Sequence, residues 1–197
     1  MTFAARTEST VMRPGDVAIE PWRNGKGVTR VMAMHPAWRI SLAEIDGPAT
    51  FSTFPGFDRV LIPLDGRGLD LELNGVVRRV EPRVGIAFRG EDRVSADPDE
   101  GPVTVVNFMV CRSLVGAGWT VSIETGAAFT GTETNAENEA DAAVALTGTA
   151  IAPDARLLSP GSVIVQPGQA RIEPAPDEMW AVLRLRPAPP SAPRHPT

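Results

Sequence analysis

Arg39 and Ser41 stand two residues apart in WRISLAEI (residues 38–45), on the opposite side of an alternating pattern from Ile40 and Leu42. In an extended strand successive side chains point to opposite faces. Arg39, Ser41 and Ala43 therefore share a small, polar face that could line a pocket while Ile40 and Leu42 seek the core. The second polar group is the loop PWRNGKGVTRV (residues 21–31), which sets Trp22, Asn24 and Lys26 among glycines. An asparagine amide offers both a donor and an acceptor to a ligand, and an indole offers an apolar wall. The same Asn24-Gly25 pair also makes a plain turn, since both residues tolerate positive φ.

Other chemistries are poorly supplied. The chain has two histidines, His35 and His195, one cysteine, Cys111, and no tyrosine. His35 precedes Pro36 in a loop and His195 falls in a proline-rich tail, which argues against a Ser-His-Asp triad. Cys111 cannot form an internal disulfide and reads as a small hydrophobe beside a strand. GKGVT lacks the Gly-x4-Gly-Lys-Ser/Thr spacing of a phosphate loop. A net charge of −5 with no Lys/Arg cluster predicts no nucleic-acid partner. No apolar run approaches the roughly 20 residues of a membrane span, and the N-terminus lacks the apolar core of a secretory signal, so a soluble, cytoplasmic protein is expected.

The elements that must position these side chains are strands. Nineteen prolines and 18 glycines punctuate short apolar runs throughout, the pattern of an all-β protein. Leu69, Leu71 and Leu73 alternate with Asp70 and Glu72 before Asn74-Gly75, predicting a half-buried strand and a tight type I′ hairpin. Further strands are expected at residues 103–110, 118–124, 142–148, 162–167 and 179–186, which suggests a sandwich or barrel. An acidic stretch at about residues 126–141 reads as a surface connection between two β units, and the tail, PAPPSAPRHPT, as disordered. An internal echo between LDGRGLDLELNG…EPRVGIAFRG and VALTGTAIAPDARLLSPGSVIVQPG points to two related halves.

LDGRG and SPGSVIVQPGQAR resemble turns of the cupin superfamily's double-stranded β-helix, and Gly161 to Pro167 fits its Gly-x5-Pro spacing. More narrowly, PWRNGKGVTR, WRISLAEI, FSTFPGFDR, LDGRGL and VNFMV, in this order, resemble the HutD/Ves family of two-cupin proteins associated with histidine utilisation. The likeness is closest over residues 11–115 and rests on general pattern beyond. It implies an all-β bicupin of two tandem jelly-roll barrels: residues 1–115, residues 116–186, and a disordered tail over 187–197.

The resemblance also places the cupin metal ligands. Enzymatic cupins hold a metal with histidines and a glutamate; here the glutamate position falls at Arg59, the paired histidines near Ser52 and Phe54, and the later histidine near Arg171. A guanidinium cannot ligate a cation, so neither a metal nor another cofactor is expected. Metal-free sugar epimerases of the cupin superfamily typically use His and Tyr, and this chain has no Tyr.

An arginine directed into a barrel needs an acid or an anion. Arg59 with Arg39, Ser41 and Asn107 could grip a carboxylate, with Trp22, Phe51 and Phe108 as walls and Asn24 closing the mouth. Family resemblance suggests formylglutamate, glutamate or urocanate as ligand, with a regulatory or flux-limiting role in amino-acid catabolism; a homodimer is possible. Arg59 could instead pair with Asp58 or Glu44 as a structural bridge. Two further readings stay open: a metal-free isomerase or hydrolase with Asp58 or Glu44 as general base and Arg59 as oxyanion stabiliser, and a stress-related interaction scaffold.

Overall fold

A computed structural model describes residues 10–22, 25–98, 101–115, 118–126, 141–152, 154–166 and 174–185. The expectations for Asn24, Arg171, most of the acidic connection and the 187–197 tail fall outside these. The described chain is all-β, with one four-residue helix, α1 (Arg112–Val115), following the last strand of the first unit. No helix among the described residues is long and apolar enough to cross a membrane.

Three sheets stack in layers. The central one has six strands in the order β2 (Glu20–Pro21), β3 (Gly27–His35), β4 (Trp38–Ile45), β11 (Val103–Cys111), β6 (Phe57–Pro63) and β9 (Ile86–Arg89). A four-stranded sheet of β5 (Ala49–Thr50), β10 (Val94–Asp97), β7 (Leu69–Leu73) and β8 (Val76–Val80) covers one face of it. Against the other face lies a five-stranded sheet of β1 (Thr10–Met12), β14 (Val163–Val165), β13 (Ala142–Ala145), β15 (Met179–Leu185) and β12 (Trp119–Thr125).

Strand alternation explains this layering. On β4, Trp38, Ile40 and Leu42 join Val60, Ile62, Val106 and Phe108 in a core shared with Val144, Val163 and Leu183 of the five-stranded sheet. The intervening positions Ala43, Leu61 and Val105 face Leu69, Leu71 and Val94 of the four-stranded sheet. A sheet buried on both faces needs near-continuous apolar strands, and VLIP and VTVVNFMV supply them. The β7–β8 hairpin turns at Asn74 (φ 52) and Gly75 (φ 88), both in the left-handed region that a type I′ turn requires. The Asn74 side chain also donates to Asp92 and accepts from the Arg93 N–H, tying the hairpin to β10.

The two units interlock at the N-terminus. β1 belongs to the second unit's sheet, where Thr10 to Met12 pair with Val165 to Val163. Arg13 fastens the crossing, with its Nη2 2.6 Å from Asp154 and its Nε donating to the Leu157 carbonyl. β1 thus pairs with a strand that lies beyond residue 115.

Candidate functional site

The face of the central sheet that carries Arg39 and Ser41 opens into a cavity of about 390 Å³ beneath the β2–β3 hairpin and the segment from Thr50 to Phe54. Three neighbouring strands deliver its polar groups. Register pairs Ser41 with Asn107 and Asn107 with Leu61, while Arg39 and Arg59 both oppose Met109. Side chains directly opposite one another share a face, so Arg39, Ser41, Arg59 and Asn107 converge.

Arg59 is the centre of this group. Only 4% of it is exposed. Its Nε donates to Asn107 Oδ1 and its Nη1 to the Ser52 carbonyl, both at 3.3 Å. Its guanidinium carbon lies over the rings of Phe51, Phe54 and Phe88. Among the described residues it has no ion pair, and the structural bridge to Asp58 or Glu44 is not formed. Burial, reinforced by the like charge of Arg39, brings its pKa down to about 10. Arg39 has a solvent-shielded Nε with no hydrogen-bond partner. Glu20, at the exposed rim, is the single carboxylate among the described lining residues.

Trp22 and Phe51 form the outer wall, in an edge-to-face contact with centroids 6.1 Å apart. The indole is oriented by its Nε1, which donates to Thr29 Oγ1 at 2.7 Å. The glycine loop that carries Trp22 is closed by hydrogen bonds from Trp22 N–H to the Gly27 carbonyl and from Gly25 N–H to the Trp22 carbonyl. Gly27 is required by space: a Cβ there would lie 2.6 Å from the Glu44 carbonyl oxygen. The loop is thus a turn that also presents a pocket wall.

Two expectations are corrected. Phe108 does not line the cavity: it is fully buried between the central and five-stranded sheets, because on β11 it alternates with Asn107. Neither proposed base faces the cavity either. Asp58 precedes Arg59, so it projects to the other face and pairs with Arg112 at 2.8 Å, and Glu44 is exposed on the Leu42 side of β4. The isomerase or hydrolase reading loses its carboxylate for this geometric reason. Phe88, Thr29 and Met109 were missed as site residues; alternation along FDRVLIP and VNFMV identifies Leu61 and Met109, but nothing local marks Phe88.

The cupin resemblance would imply a metal, and the residues here do not fit one. The cavity offers two guanidiniums where a cation would need carboxylate or imidazole donors, and Ser52 contributes its backbone carbonyl to Arg59.

Comparison with known proteins agrees with the architecture. An uncharacterized 21.2 kDa protein in the hutC 3′ region of Pseudomonas putida is 34% identical over 93 residues, covering 43% of this chain and 49% of that protein. Protein Ves of Citrobacter koseri is 35% identical over 99 residues, covering 46% and 52%. The chain spans about half the length of these curated relatives. Among solved structures, HutD from Pseudomonas fluorescens SBW25, in a formate condition, superposes with a TM-score of 0.67 at 21% identity, covering 91% of this chain and all of that one. The HutD family profile matches residues 15–172, most of the chain. The three-layered all-β protein with a buried arginine at its first cavity belongs to the HutD family.

Proposed function

We propose that this protein binds a small carboxylate metabolite in the Arg59 cavity and performs no chemistry on it. The observation that carries this reading is the buried Arg59 guanidinium beside Arg39, with no carboxylate partner among the described residues. Desolvating an isolated cation costs several kcal/mol, and two adjacent cations raise that cost. A carboxylate between them relieves both, and a guanidinium suits it through paired N–H donors. Asn107 and Ser52 hold Arg59 in place, while Ser41 supplies a hydroxyl on the same face.

Family membership and the hutC-region relative favour a ligand from histidine degradation, with formylglutamate, glutamate and urocanate as candidates, and a regulatory or flux-limiting role. Glutamate has five carbons and formylglutamate and urocanate six, sizes in keeping with a cavity of about 390 Å³, and the Trp22–Phe51 wall suits the flat imidazole of urocanate.

The test is a melting-temperature screen of chelator-dialysed protein against these acids, formate, sugars and divalent metals, with Arg59→Ala as control. A ligand present at 100 times its dissociation constant adds about 2.7 kcal/mol of stability. Stabilisation by one acid that vanishes in Arg59→Ala supports the reading; stabilisation by a metal alone, or by nothing in the panel, overturns it.

A further inference from the structure

The central sheet has a second cavity, of about 720 Å³, on its opposite side at the seam with the five-stranded sheet. Arg30 reaches it from β3. Register sets Arg30 opposite Leu42, so it projects to the Leu42 face, away from Arg39 and Arg59. Its Nε is shielded from solvent and has no hydrogen-bond partner.

Arg83, in the turn after β8, borders the same cavity. Its φ of 63 lies in the left-handed region, which an arginine adopts at a conformational cost that glycine would avoid. The conformation is held by its N–H, which donates to the Pro63 carbonyl at 2.7 Å. Among the described residues neither Arg30 nor Arg83 has an ion pair. Asp65, the acid among the described lining residues, already accepts the Thr104 N–H at 2.7 Å. Two guanidiniums thus face one carboxylate that is engaged with the backbone.

We infer that this seam is a second oxyanion site, taking a small metabolite through a carboxylate or phosphate group held by Arg30 and Arg83. A shielded donor without a partner, a second unpaired guanidinium and a strained backbone that keeps it at the cavity edge are three separate features that an anion would explain together. The site is independent of the Arg59 cavity, because it uses the other face of the sheet and no residue in common.

Titration calorimetry on the full chain carrying Arg59→Gln tests it, with inorganic phosphate and succinate as probes at millimolar concentration. The expected result is saturable binding of one probe, weakened at least about tenfold when Arg30→Gln or Arg83→Gly is added. Phosphate alone or succinate alone identifies the group recognised, and either supports the site. Arg83→Gly also relieves the positive φ, so it should raise the melting temperature of the ligand-free protein while it weakens binding; this variant carries the test if Arg30→Gln fails to fold. Absence of saturable binding by both probes, or binding unaffected by the added substitutions, overturns the inference.

Discussion

The guanidinium carbon of Arg59 stands 4.8 Å from the centre of the Phe88 ring. Phe54 and Phe51 approach it at 5.4 and 5.5 Å, so the cation sits in an aromatic cage. Desolvated cation–π contacts contribute about 2 kcal/mol, less than the several kcal/mol that desolvating the ion costs. Arg59→Met should therefore stabilise the ligand-free protein by about 1 kcal/mol while abolishing stabilisation by carboxylates. Denaturant midpoints with and without ligand measure both. A large loss of ligand-free stability would make Arg59 a structural element instead.

The pH dependence of binding should report on the same group. Burial lowers the folded-state pKa of Arg59 to about 10, so the free protein begins to lose this cation above about pH 10. Carboxylate affinity should hold below that value and decline above it. For the ligand-free protein the sign is opposite: above about pH 10 the unfolded chain still holds the proton that the folded chain loses, so this group's contribution to stability rises with pH. With one lysine and no tyrosine in the chain, few other groups titrate in the window. Affinity unchanged across pH 10, by calorimetry, would contradict the assignment.

Gly90 controls the cage from a distance. A Cβ at this position would lie 2.0 Å from the Phe54 carbonyl oxygen and 3.0 Å from that of Phe57, whereas Gly90 itself exchanges hydrogen bonds with both residues. Gly90→Ala must displace the segment that carries Phe54, with an expected destabilisation of about 2–3 kcal/mol and loss of carboxylate binding. Urea unfolding and ligand titration of the variant check the two effects together.

Acid should loosen the same segment. Glu91 accepts the Gly56 N–H at 2.7 Å and pairs with Arg112, and these contacts hold its pKa at about 2 instead of 4.5. A depressed carboxylate pKa contributes stability above the unfolded value that is lost as pH falls from about 4.5 toward 2. Glu91→Gln should flatten that part of the stability curve and leave neutral-pH carboxylate affinity nearly unchanged. Solvent exposure keeps the effect small, so the slope between pH 5 and 3, on the order of the shift window, is the quantity to compare.

Two phenylalanines should separate packing from binding. Phe108→Ala empties a fully buried position and should cost about 3–5 kcal/mol of stability. Phe51→Ala, at the cavity wall, should cost far less stability but weaken carboxylate binding. Equal losses in the two variants by denaturant titration would remove the distinction.

Much of the fold was legible because alternation and turn chemistry are local. WRISLAEI announced both faces of β4, and Asn74-Gly75 announced its hairpin. Alternation along β11 puts Asn107 on the cavity face and Phe108 on the other, which excludes the wall that its aromatic character had suggested. Arg59 came into view through its place in a family pattern, since a single arginine in an apolar strand has no local signature of direction. Phe88 and Gly90 stayed hidden because their roles come from the pairing of β9 with β6, a contact across some 30 residues that no short stretch encodes. The membership of β1 in the far sheet was hidden for the same reason.

That first strand has a consequence for how the molecule is made. β14 is made about 150 residues after β1, yet its free edge is completed by the three residues of β1. The nascent chain must hold an unpaired strand until about 150 residues later its template appears, a long-range closure of the kind that slows folding. During that wait the strand is available to the β14 edge of any neighbouring copy, so crowded expression favours exchanged arms between molecules.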